Sequence, residues 1–121
     1  MAYLNDEALD QGLDWVDTNG TRLDICSQEP VTYAAATATY TLGTDTVNTG
    51  APVAGDVDGR KVVVPAVTGG SVTGTGTATH WALTDGASVL IATGALSASQ
   101  AVTSGNTFNL GAFDITIRDA T

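Results

Sequence analysis

The chain has 121 residues, enough for one small domain with a single core. Threonine (20), alanine (18) and glycine (14) dominate while aromatic residues make up 6%, so its apolar side chains are mostly small or β-branched and strands are favoured over helices. Thirteen acidic residues against four basic ones give a net charge of −9, which repels a phosphate backbone and makes nucleic acid and anionic membranes poor partners.

The first predicted element is an amphipathic helix over residues 5–19. Leu4, Ala8, Leu9, Gly12, Leu13, Trp15 and Val16 share about half the circumference, with Asp6, Glu7, Asp10, Asp14 and Asp17 opposite. Asn5 or Asp6 suits the cap, and Asn19-Gly20 the stop. The apolar face packs either on the chain's own sheet or on a neighbouring subunit, which makes Leu9, Leu13, Trp15 and Val16 the candidate interface residues.

From residue 21 onward the pattern is β. TRLDICSQ alternates, with Leu23 and Ile25 on one side and Arg22, Asp24 and Cys26 on the other. VTYAAATATYTLGT reads as a short turn followed by extended chain around Tyr40 to Leu42. Turn formers fill 44–59 without a period, the pattern of a long surface loop. RKVVVPAV is a strand ended, bulged or placed at an edge by Pro65. SVTGTGTATHWALTDG is one long strand or a bulged pair, and Asp85-Gly86 turns it into SVLIATGAL as a hairpin. Phe108 with Leu110, and Phe113 with Ile115 and Ile117, mark two closing segments. One helix and six to eight strands predict a mainly β domain, an antiparallel β-sandwich or barrel-like fold.

Chemical motifs do not emerge. Gly69 and Gly74 have the P-loop separation, but Thr75 stands where lysine is required, and Gly74, Gly76 and Thr79 miss the dinucleotide fingerprint. His80 is the single histidine, and no G-x-S-x-G turn exposes a nucleophile for it; a structural imidazole is expected. Asp56-Val57-Asp58-Gly59 opens like a calcium loop but lacks the third oxygen ligand and the distal glutamate. Clustered acidic loops of an oligomer leave a weak cation site as an open alternative. Cys26, the single cysteine, can form no internal disulfide or zinc set and is expected to be a buried small hydrophobe. Thr73, Thr75, Thr77 and Thr79 share one parity, predicting a hydroxylated stripe with glycines opposite. No catalytic, cofactor-binding or metal-binding residue is therefore assigned.

No apolar run approaches the roughly 18 residues of a membrane span, and MAYLNDEALDQGL is acidic where a signal peptide is basic and then apolar. Assembly in the cytoplasm is the expectation.

ICSQEP (25–30), GRKVVVPAV (59–67), GSVTGTGTATHWALTDG and LIATGALSASQAVTSGNTFNL resemble a group of small virion structural proteins of tailed bacteriophages and prophages. The resemblance runs from the helix to FDITIRD and implies a non-enzymatic component of the phage particle. A capsid-decorating or cementing protein, trimeric and bound to the major capsid protein, fits an acidic domain of this size. A neck, tail or fibre component is the alternative, although fibres usually carry repeats and none is present. A third reading, a surface carbohydrate-binding module, would stack sugars on Trp15, Trp81 or the tyrosines.

Overall fold

The computed structural model describes residues 6–57 and 59–118. Within them one helix, α1 (Asp6–Asn19), precedes β1 (Arg22–Cys26), β2 (Thr41–Thr46), β3 (Val53–Ala54), β4 (Arg60–Val64), β5 (Val67–Val72), β6 (Gly76–Thr84), β7 (Leu90–Val102), β8 (Thr107–Leu110) and β9 (Phe113–Ile117). Six strands form an antiparallel sheet in the order β7-β6-β1-β2-β5-β8, and β3-β4-β9 form a second. The larger sheet curls into a half-barrel, so the mainly β fold with one N-terminal helix is as the composition predicts.

β1 is the central staple. Leu23 lies opposite Leu83 of β6 and Ile25 opposite Trp81, while on the other side Ile25 faces Gly43 of β2. Leu23, Ile25, Leu42, Val72, Leu83 and Phe108 are all buried in one core. Val64 joins that core from the small sheet, with Phe113 and Ile115 packed against it. Each fully buried aliphatic side chain contributes about 1.5–3 kcal/mol, so these alternating positions are what set the register.

Several expectations are corrected. The 44–59 stretch is only partly loop: Thr44–Thr46 complete β2, and Val53 and Ala54 pair with Lys61 and Arg60 as the short strand β3. The Thr/Gly run does not form one stripe, because the amides of Thr73 and Gly74 both donate to Leu42 O (2.9 and 3.1 Å) and turn the chain between β5 and β6. Thr73 and Thr75 therefore sit in a connection, where Thr75 Oγ1 accepts from Ser104 N. β7 runs on through SASQAV to Val102. The alanine-rich turn is a π-helical turn, Ala35–Thr39, closed by Tyr40 N donating to Ala35 O at 2.8 Å.

Asp85-Gly86 does make the β6–β7 hairpin. Gly86 takes φ +75, and one oxygen of Asp85 accepts the amides of Ala87, Ser88 and Val89, each at 2.9 Å. Those donors hold the Asp85 carboxyl below the usual carboxylate range.

Candidate functional site

The helix separates its candidate interface residues. Leu9 (2% exposed) and Leu13 (1%) are consumed inside the chain, on the side where α1 packs on β4, and Val16 packs partly against the main core. Leu9 and Leu13 are thus corrected from interface to core: burying them against the small sheet leaves no apolar stripe for a neighbour. Trp15, rotated away from them, remains 46% exposed. Arg60 fixes the docking by donating to both carboxylate oxygens of Asp10 (2.8 and 3.3 Å), and Gly12 admits Ile117 so closely that a Cβ would lie 3.3 Å from its Cδ1. Leu4, Asn5 and the side chain of Asp6 lie outside the described residues, as does Asp58.

On the opposite face of the large sheet, Asp24 is a fully buried carboxylate in mid-strand. Arg22 grips it with two bonds (2.8 and 3.1 Å), and Thr41 donates its hydroxyl at 2.7 Å. The pairing holds the Arg22 guanidinium charged even more firmly than usual. An open groove of about 440 Å³ beside it is lined by Thr21, Arg22, Thr44, Asp45 and Thr46. Cys26 is buried in a small cluster with Ala36 and with Ala82 of the neighbouring strand. Burial, reinforced by the nearby Asp24 charge, pushes its thiol up to about 12, so it is an unreactive hydrophobe rather than a nucleophile.

His80 is bonded, not poised. Thr79 Oγ1 donates to Ser27 O (3.0 Å) and lies 2.9 Å from His80 Nδ1. The Thr79 hydroxyl thus ties β6 to Ser27, and the imidazole is held against that hydroxyl. Among the described residues no three His, Cys, Asp or Glu side chains gather around a common point that could hold a metal ion, and no helix is long and apolar enough to cross a membrane.

Trp81 stands at the mouth of the half-barrel. Its ring lies 4.2 Å from that of Phe113, tilted by 32°, and spans Gly94, where a Cβ would come within 2.7 Å of the indole. Beyond it opens a second pocket, about 280 Å³, between Ala95–Ser97 of β7 and the Leu110–Phe113 connection. Trp81 alternates with Leu83 along β6, a spacing that predicts burial for both; Leu83 is fully buried, Trp81 only partly. Nothing in the alternation announced the pocket, because it depends on how two strands distant from β6 part. Arg22 and Asp24 were readable only as a strand's outer face, since the roof over them comes from residues 27–41.

Compared with protein-family models, with curated proteins and with solved structures, the chain matches none.

Proposed function

We propose that this protein is a non-enzymatic structural component of a tailed-bacteriophage virion, decorating or cementing the capsid as an oligomer. The carrying observation is Trp15, a large aromatic left 46% exposed on a helix whose Leu9 and Leu13 are buried inside the chain. Aromatic anchors of this kind dominate the energy of protein interfaces. Around it the chain is strongly acidic, and Arg22, Arg60 and Lys61 are each engaged by carboxylates of the same chain. The partner that suits this surface presents basic groups around an apolar socket, as a major capsid protein lattice could. Binding only the assembled lattice would stabilise the head by mass action. The sequence resemblance described above supports the same reading.

The test is the copy number of the protein in purified virions, by quantitative mass spectrometry against the major capsid protein. A fixed ratio to capsid subunits is expected, together with loss of heat or osmotic resistance when particles are stripped of it. A dozen copies or fewer would move the protein to the neck or tail and end the cementing reading. The exposure of Trp15 also suits a sugar-stacking role. Emission from Trp15 that responds to host polysaccharide would favour that alternative.

A further inference from the structure

The half-barrel has a seam. β7 and β8 end the six-stranded order, and because every neighbouring pair in it is antiparallel, they run antiparallel to each other. They are also consecutive in sequence, joined by a tight turn in which Asn106 N donates to Thr103 O and Gly105 takes φ +91. A two-stranded hairpin would close the barrel here, yet the strands do not pair. Two features accompany the gap. Ser104 has no positive φ, so with Gly105 the turn belongs to the type II class, which splays strands rather than matching their twist. Farther along, four residues of β7, Leu96–Ser99, stand opposite the single Thr79 of β6, between the pairs His80↔Ala95 and Ala78↔Gln100. Such a bulge bends the strand that carries it, and it falls in the stretch of β7 that lines the seam.

Where the strands part lies the 280 Å³ pocket, lined by Trp81, Leu96, Ser97, Leu110, Ala112 and Phe113 among others, none of them charged. On a chain of net charge −9 a neutral cleft between two strand edges is a selective feature. It would desolvate any ionised side chain without offering a counter-charge. The Trp81 indole N–H, partly buried, meets no acceptor among the described residues, although such donors are usually satisfied when buried. A backbone carbonyl entering the cleft would supply one.

We propose that this seam is a strand-addition site: a short, extended, uncharged segment of another protein pairs with the free edge of β7 and seats one apolar side chain against Trp81. Backbone pairing supplies affinity and the pocket supplies side-chain selectivity, as in other strand-addition complexes. This site is distinct from Trp15 and independent of the virion reading. Unpaired strand edges invite such partners unless they are blocked.

The experiment uses the full chain carrying Trp15→Phe, so that Trp81 is the single tryptophan, and titrates the blocked peptide acetyl-Thr-Leu-Thr-Leu-Thr-amide. A saturable blue shift of Trp81 emission is expected. A peptide with proline at its central position, which cannot donate from that residue, and one with aspartate in place of both leucines should each bind at least about tenfold more weakly, the equivalent of one good hydrogen bond or more. Ala112→Phe, filling the pocket without adding a second tryptophan, should abolish the shift, with circular dichroism verifying the fold. Should that variant not fold, Ala95→Glu on the exposed rim serves instead and should also weaken binding. No shift at the solubility limit of the peptide, or equal binding of the proline peptide, would overturn strand addition. A shift that instead follows protein concentration without peptide would assign the seam to a second copy of the chain and overturn the proposal of a foreign segment.

Discussion

Gln100 and Asn109 occupy mirror positions about the turn that joins β7 to β8, and they meet through a side chain: Gln100 Nε2 donates to Asn109 O at 3.0 Å. In a closed barrel these two residues would be backbone partners. Here one amide side chain bridges, close to the Gly105 turn, two strands whose backbones do not pair, and so spans the seam at its turn end. Gln100→Ala should cost about 1 kcal/mol, the net worth of one hydrogen bond. It should also raise amide exchange at β8 more than at β1. Urea denaturation and hydrogen exchange read the two effects, and uniform exchange across the sheet would mean that the bridge does not hold the seam.

The Arg22–Asp24 pair carries a directional prediction. Asp24 is wholly buried while Arg22 is one-third exposed, so losing the arginine strands a buried charge, whereas losing the aspartate lets the arginine reach water. Arg22→Met should destabilise by about 3 kcal/mol, the low end for breaking a buried pair. Asp24→Leu should cost less, and the double variant should recover a large part of the loss. Denaturation midpoints of the three variants form the cycle; purely additive losses would show the pair to be uncoupled.

Gly94 is fixed by Trp81. A methyl there would sit 2.7 Å from Cε2, Cζ2 and Nε1 of the indole, closer than carbon atoms approach without displacement. Gly94→Ala should lower stability by about 1–3 kcal/mol through overpacking and alter the near-ultraviolet dichroism of Trp81, whose stacking on Phe113 it disturbs. A thermal melt and spectrum indistinguishable from the parent would contradict this geometry.

Cys26 should be silent toward thiol reagents at pH 8 in the folded chain and react fully once it unfolds. Its folded pKa, raised to about 12 from an ordinary 9.0, also sets a sign. The folded state keeps a proton that the unfolded chain releases, so this group's contribution is intact below about pH 9 and is lost as pH rises toward 12. Cys26→Ala should flatten that alkaline decline, read as stability against pH.

Asp85 works in the opposite range. With its carboxyl lowered by the three amides it accepts, its contribution is present above the ordinary carboxylate pKa and disappears as pH falls through the folded value. Asp85→Asn should therefore lessen the acid-induced loss of stability measured between neutral pH and pH 3. An unchanged acid limb would show that the turn does not depend on this charge.

Local pattern was enough for much of the fold. The period of 3.6 residues placed α1, strict alternation placed Leu23 and Ile25 inward, and Asp85-Gly86 marked the hairpin, because each is a property of a few neighbouring residues. What local pattern could not determine is which side of each element another part of the chain would cover. Leu9, Leu13 and Trp15 looked alike as apolar helix positions, yet only contact with β4 distinguishes the buried pair from the exposed indole. Asp24 read as an outward residue until residues 27–41 folded over it. The four-residue bulge of β7, and with it the seam beside Trp81, arises because distant strands must curl around a shared core and cannot all keep their ladders. That conflict belongs to the tertiary structure and leaves no period in the sequence.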